Sequence, residues 1–306
     1  MKQQSVIVLV GPTASGKTDF AIKLAQHYPI EVISADSRQV YRHMDIGTAK
    51  VSKQEQQQVT HHLIDVVEPD KDFSVADYTE LAHQAIIDVI SRGKIPVIVG
   101  GTGLYVRALT EGLIDAPSED ADLRVELLTQ ERQCAGTLYQ RLLEVDNTLA
   151  LALHPHDITR IVRGLEVYLH TGTQLSQLQH SHGFKEQRYR TLKFAIAMDR
   201  AQLYERINKR VEIMFANGLL AEAQNLLDCG YDPELKALRT IGYRQAIACL
   251  REGLSRDEAV AWIQLDSRRY AKRQLTWFRK DKTINWVDYH EEFVNIEKWI
   301  DEFYFN

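Results

Sequence analysis

The chain has 306 residues, 44% of them hydrophobic and 26% charged, an ordinary globular composition with room for one domain plus an insertion. Its net charge of −5 advertises no nucleic-acid binder as a whole, so basic surface has to be sought segment by segment. Cys134, Cys229 and Cys249 are widely spaced with no C-x-x-C pair, which argues against a disulfide framework or zinc site and fits a reducing cytosol. No apolar run has the length of a signal core or a membrane span.

Residues 6–10 are uniformly apolar, as in a strand buried on both faces of a parallel sheet. Gly11, Pro12, Thr13, Ala14, Ser15, Gly16, Lys17 and Thr18 follow, matching the phosphate-binding pattern G-x-x-x-x-G-K-[ST] where a strand hands over to a helix. The glycines let backbone N–H groups turn toward an anion, and the next helix, about 17–27, aims its positive end at the same place. Lys17 is expected on the phosphates and the Thr18 hydroxyl on a magnesium ion. A second strand is expected at 31–34, with Asp36, Ser37, Arg38 and Gln39 just past its carboxyl end, where open α/β sheets bind ligands. A short strand is expected at 62–66, an amphipathic helix at 75–92 and a third apolar strand at 95–99. That strand runs into Gly100, Gly101, Thr102 and Gly103, and a helix restarts near Leu104. The rhythm predicts an α/β fold, a P-loop-containing doubly wound parallel sheet.

The rhythm then stops. Residues 118–190 read as a helical insertion, with helices at 122–133, 138–145 and 158–170. The sheet domain is thus split into 1–117 and 191–306. In its second part a strand is expected at 192–198, helices at 201–216, 219–229, 242–251 and 255–280, a short strand at 284–287 and a last helix at 292–303. The stretch 54–58 is glutamine-rich and too short to interpret.

Asp36 is the leading candidate for a base, since its carboxylate can face the same pocket as Lys17. An N-cap or a structural partner of Arg38 is the competing role. The third strand ends in glycines where an ATPase motor carries an acid, and Thr102 there can meet a phosphate or a base. Arg160 and Arg163 lie three apart on a helix, as do Arg206, Lys209 and Arg210 at similar spacing. Residues 265–282 hold seven Lys/Arg against two Asp, with Tyr270, Trp277 and Phe278 interleaved, a pattern that suits RNA as well as an ordinary solvated face.

Taken together the chain resembles the tRNA dimethylallyltransferases (tRNA isopentenyltransferases). The resemblance rests on GPTASGKT, on ISADSRQVYRHMDIGTAK at 33–50, on GGTGLY at 100–105, on HPHDITRIVRGLEV at 154–167, on RTIGYRQ at 239–245 and on RRYAKRQLTWFR at 268–279. It implies transfer of a dimethylallyl group from dimethylallyl diphosphate to the exocyclic amine of the tRNA adenosine just 3′ of the anticodon, with release of pyrophosphate. It further implies that the P-loop cradles the donor diphosphate with Mg2+, that Asp36 takes the amine proton, that Arg210 reaches the leaving diphosphate and that Thr102 lies near the transfer site. Expected tRNA contacts are Asp36, Ser37, Arg38, Gln39, Thr102, Arg124, Thr159, Arg160, Ile161, Val162, Arg163, Arg239, Thr240, Ile241, Gly242, Tyr243, Arg244 and Gln245. The chain carries no Cys/His pattern for the zinc finger of some eukaryotic members, so it resembles the compact bacterial form, expected as a cytoplasmic monomer. Three rivals share parts of this pattern: a small-molecule kinase, an adenylate isopentenyltransferase and an RNA-binding ATPase switch.

Overall fold

The structure is a computed structural model that describes residues 3–183 and 186–305. In chain order it runs β1 (Ser5–Val10), α1 (Lys17–Ala25), β2 (Ile30–Ser34), α2 (Lys53–Gln58), β3 (His61–His62), α3 (Val75–Ser91), β4 (Ile95–Gly100) and α4 (Gly103–Glu111). Five helices follow: α5 (Ala121–Gln133), α6 (Thr137–Val145), α7 (Asn147–Ala152), α8 (Ile158–Thr171) and α9 (Leu175–His182). Then come β5 (Arg190–Ile196), α10 (Arg200–Ala216), α11 (Leu219–Asp228), α12 (Tyr243–Arg251), α13 (Arg256–Phe278), β6 (Ile284–Val287) and α14 (Phe293–Tyr304). Two compact units result, Met1–Thr110 with Arg188–Asn306, and Glu111–Gln187.

In the first unit the strands form one sheet in the order β3-β2-β4-β1-β5-β6, every neighbouring pair parallel. The doubly wound sheet expected from the sequence is what forms. The apolar run of β1 serves both faces. Val6, Val8 and Val10 join Tyr78, Ile86 and Val89 of α3 and Leu109 of α4 on one side. Ile7 and Leu9 join Phe20 and Leu24 of α1 and Ile296 and Ile300 of α14 on the other. A uniformly apolar strand is stable only where helices cover both its faces. A third apolar cluster unites Val40, Tyr41 and Met44 with Val211, Leu219, Tyr243 and Ile263. This ties the segment after β2 to helices α10 to α13.

Differences from the expected elements have local causes. The strand expected at 62–66 is only two residues long, because Leu63 and Asp65 adopt positive φ angles of 63° and 56° that no strand can hold. The glutamine-rich stretch is a helix, started by a capping box in which the Ser52 hydroxyl accepts from the Glu55 N–H and the Glu55 carboxylate accepts from the Ser52 N–H. The strand β5 begins two residues earlier than expected, paired to the start of β1 (Ser5 to Arg190), and ends before Asp199 caps α10. Helices α7 and α9 were not expected. Their shared anchor is buried Asp146, whose carboxylate accepts from Leu149 N–H, Ser176 N–H and the Ser176 hydroxyl.

The second unit has its own core, built on Leu127, Leu138, Leu142, Ile161 and Leu165. Wholly buried Glu166 lies beside that core, and its carboxylate accepts from Asp120 N–H at 2.8 Å, Arg124 Nε at 2.8 Å and Arg163 Nη1 at 2.5 Å. Two arginines and an amide compensate a charge that burial alone would penalise by several kcal/mol. Cys134 and Cys229 are exposed, whereas Cys249 is half-buried, and burial pushes its thiol pKa up. Among the described residues no helix is long and apolar enough to cross a membrane.

Gly164 on α8 sits where a Cβ would come within 2.6 Å of Leu149 Cδ2 and 2.9 Å of Leu142 Cδ1. Gly164→Ala is therefore expected to overpack this core and destabilise it by about 1–3 kcal/mol, despite alanine's better helix propensity. Denaturant unfolding of the two proteins checks this; an equal or more stable variant would show that α8 shifts freely.

Candidate active site

Three turns meet at the carboxyl ends of β1, β2 and β4, and those after β1 and β4 are shaped by glycine. After β1, the loop from Gly11 to Gly16 turns into α1. Gly16 occupies the N-cap position at φ 94° without a capping side chain, so no side-chain acceptor engages the first N–H groups of α1. Ala14 also has positive φ, 65°, an unusual conformation for a residue with a Cβ. The Ser15 hydroxyl is buried and has no hydrogen-bond partner among the described residues. An uncapped helix start beside an unpaired buried hydroxyl has the features of an anion cradle.

Lys17 and α10 close that cradle. Lys17 Nζ donates to the carbonyls of Gly11 at 3.1 Å and Pro12 at 2.8 Å. Burial and the nearby Arg210 guanidinium bring its pKa down to about 8, partly offset by the Asp36 carboxylate. Arg210 Nη1 donates to the Thr13 hydroxyl at 3.3 Å, and Arg206, one turn earlier, donates to the Ser15 carbonyl at 3.4 Å. The sequence marked Arg206 only as part of a basic helix face. Its i, i+4 spacing to Arg210 was the signal that both reach the same loop.

The turns after β2 and β4 are locked together. A Cβ on Gly100 would lie 2.1 Å from the Ala35 carbonyl oxygen, so only glycine permits this approach. Thr102 N–H donates to that carbonyl at 3.1 Å, and the Thr102 hydroxyl accepts from Ser37 N–H at 3.0 Å. Thr102 also hydrogen-bonds Tyr270 of α13, a phenol that burial and the Asp36 charge push up to about 12. Asp36 Oδ1 accepts from Arg38 N–H at 2.8 Å and Gln39 N–H at 3.3 Å. This fixes the carboxylate, while Oδ2 has no hydrogen bond among the described residues. One oxygen of this carboxylate thus serves the backbone of its own turn, and the other does not.

The expected tRNA-contact residues divide by exposure. Arg38 Nη1 donates to the Lys236 carbonyl, bringing the 36–39 turn beside the segment that carries Arg239, Thr240, Ile241 and Gly242. Arg239 and Arg244 are exposed, and Arg244 pairs with Asp266 at 2.8 Å and lies over the Trp262 ring. Tyr243 and Gln245 are both buried. Tyr243 donates to Glu222 at 2.6 Å, and Gln245 caps the Gly242 N–H and donates to Asp266. They shape the segment and present no side chain to a ligand. In the second unit Thr159 and Arg160 are exposed, whereas the side chains of Ile161 and Val162 point into the core. Arg124 and Arg163 grip Glu166.

A magnesium ion suits the donors present. Half-buried Thr18 offers a hydroxyl on the first turn of α1. No cluster of three or more His, Cys, Asp or Glu able to hold an ion occurs among the described residues. Magnesium keeps several waters and takes one or two protein oxygens together with phosphate oxygens, so it needs no such cluster.

Residues 39–281 match the family model described as IPP transferase. The chain belongs to that family. It is 52% identical over 303 residues to tRNA dimethylallyltransferase 1 of Syntrophotalea carbinolica, covering 99% of this chain and 96% of that protein. It is 50% identical over 301 residues to tRNA dimethylallyltransferase 2 of Geotalea uraniireducens, covering 98% and 97%. Among solved structures, the full-length tRNA isopentenylpyrophosphate transferase of Bacillus halodurans aligns at TM-score 0.72 and 38% identity over 98% of this chain and 96% of that one. A eukaryotic dimethylallyltransferase acting on tRNA aligns at TM-score 0.75 and 28% identity over 90% and 69%.

The lowered Lys17 pKa sets a pH dependence. Below about pH 8 the ammonium is charged and ready for an anion. Above it the free protein holds a neutral amine, and binding an anion must first return the proton. Pyrophosphate affinity is expected to weaken as pH rises through 8, with extra proton uptake on binding. Calorimetry in buffers of different ionisation enthalpy measures that uptake, and Lys17→Met, which removes the amine, should abolish the excess.

Proposed function

We propose that this protein is a prenyltransferase that moves the dimethylallyl group of dimethylallyl diphosphate onto the exocyclic amine of the tRNA adenosine immediately 3′ of the anticodon, releasing pyrophosphate. The observation that carries the reading is the anion cradle with Lys17 and Arg210 joined to a turn that presents a fixed carboxylate, Asp36, on the same sheet edge. Family membership supports the reaction class, and the named relatives support tRNA as acceptor.

The chemistry follows from charge. The backbone N–H groups of 16–18, Lys17 and Arg210 would bind the donor diphosphate. Negative charge grows on that group as its bond to the allylic carbon lengthens, so the same donors bind the transition state more strongly than the substrate. Thr18 would hold a magnesium ion that, when bound, supplies further positive charge to the leaving oxygens. The lone pair of the adenine amine closes on the allylic carbon while the carbon–oxygen bond breaks. Asp36 accepts the proton the amine must lose, with its backbone hydrogen bonds keeping the carboxylate in place. The target base has to leave its stack to reach this depth, and a loop base is the least costly to extrude. Arg38, Arg239 and Arg244 would meet RNA phosphates near the pocket, and the helical unit would offer Thr159 and Arg160 as its own RNA contacts, with Arg124 and Arg163 in a supporting role.

The direct test combines purified protein, magnesium, dimethylallyl diphosphate and an anticodon stem-loop. The adenosine is expected to gain one isopentenyl mass with an equal amount of pyrophosphate released. Prenylation of free AMP at equal or greater efficiency would assign the protein to the adenylate class instead. Asp36→Ala is expected to slow the chemical step about 10²–10⁴-fold while stem-loop affinity changes little. An affinity loss matching the rate loss would make Asp36 a binding residue. Arg160→Ala should weaken stem-loop binding and flatten its salt slope by about one unit. Arg163→Ala should instead lower the melting temperature of the protein, since it strips a partner from buried Glu166.

A further inference from the structure

The prenyl-transfer reading calls for a fixed distance between two things: the cradle that holds the leaving group and the turn beside which the acceptor amine arrives. Gln274 joins them. It lies on α13 and is only 6% exposed. Its Oε1 accepts from the backbone N–H of Thr13, in the cradle, at 2.9 Å. Its Nε2 donates to the carbonyl of Gly101, in the turn that carries Thr102, also at 2.9 Å. These partners have opposite polarity, so they fix which end of the amide faces which loop. No carboxylate, ammonium or apolar side chain can serve both.

The neighbouring backbone is shaped to admit this amide. A Cβ on Gly101 would sit 2.2 Å from Gln274 Nε2. One turn to either side, α13 makes related contacts. Tyr270 hydrogen-bonds Thr102, and a Cβ on Gly103 would lie 2.2 Å from Trp277 Nε1. Positions 270, 274 and 277 form one stripe of the helix, and that stripe covers the whole 101–103 turn.

We infer that Gln274 is a positioning residue for the transfer, holding the phosphate cradle and the Thr102 turn at the separation the reaction needs; this rests on the function proposed above. The amide makes no bond to either substrate in this account. It acts through Thr13, which also carries the Arg210 contact, and through Gly101. Where reacting groups must meet within a few tenths of an ångström, a shift of about 1 Å costs about 10²-fold in rate without an equal cost in binding.

The test uses two variants that disturb the bridge in different ways. Gln274→Met keeps the volume and removes both hydrogen bonds. Gly101→Ala keeps every hydrogen-bonding group and displaces the amide. Single-turnover transfer to an anticodon stem-loop is measured with saturating dimethylallyl diphosphate, alongside the dissociation constants of magnesium pyrophosphate and of the stem-loop. Both variants are expected to lose about 30- to 100-fold in the chemical step, with each dissociation constant within about threefold of wild type. Wild-type rate in either folded variant overturns the inference. So does a loss of affinity that accounts for the loss of rate, because a merely structural role would loosen binding as well. If Gln274→Met does not fold, Gly101→Ala decides alone. A wild-type protein that binds both ligands and transfers nothing overturns the proposed function itself, a result distinct from any of these.

Discussion

The site depends on one close approach of backbone to backbone. The end of β4 passes the end of β2 so tightly that the Ala35 carbonyl occupies the space of a side chain at residue 100. Glycine there lets Thr102 N–H reach that carbonyl, and Ser37 N–H then reaches the Thr102 hydroxyl. Asp36 is caught between these bonds, with its own Oδ1 tied to the next two amides. Strand β1 lies beside β4, so the Gly11–Gly16 loop emerges alongside this pair of turns. A carboxylate, a hydroxyl and the glycine-bounded loop after β1 are thus brought together by parallel strand order and a missing Cβ, and side-chain packing only completes what the backbone begins.

The helical unit shows a different solution. Its exposed residues Thr159 and Arg160 precede Ile161 and Val162, which are buried, and Arg163, which is bound to buried Glu166. A run of five residues therefore alternates between outward duty and folding within little more than one turn. Anchoring an arginine against a buried acid removes its freedom to wander. The same logic applies to Arg244, held between Asp266 and the Trp262 ring.

Much of this was legible in the sequence because it depends on short-range pattern. The apolar runs of β1, β2 and β4, the loop from Gly11 to Thr18 and the turn at Gly100 to Gly103 each declare themselves within a dozen residues. What stayed hidden depends on partners far along the chain. Nothing near Gln274 marks it as the acceptor for an amide 261 positions away. Nothing near Tyr243 or Gln245 says that Glu222 and Asp266 will draw them inward. The two-residue strand β3 was overestimated for a local reason, since left-handed conformations at Leu63 and Asp65 leave no trace in side-chain type. Exposure was the weakest reading. Family resemblance places Ile161 and Val162 near a ligand, while helical periodicity turns their side chains to the core, and the second consideration wins for the side chains.

The placement of the three thiols gives the molecule a built-in pair of handles. Cys134 belongs to the helical unit and Cys229 to the sheet unit, both accessible, while Cys249 is partly shielded and slower to form the reactive thiolate. Maleimide dyes should settle on the first two, one in each unit, without engineering. Energy transfer between donor and acceptor fluorophores then follows the separation of the units in solution, molecule by molecule, as RNA arrives and departs.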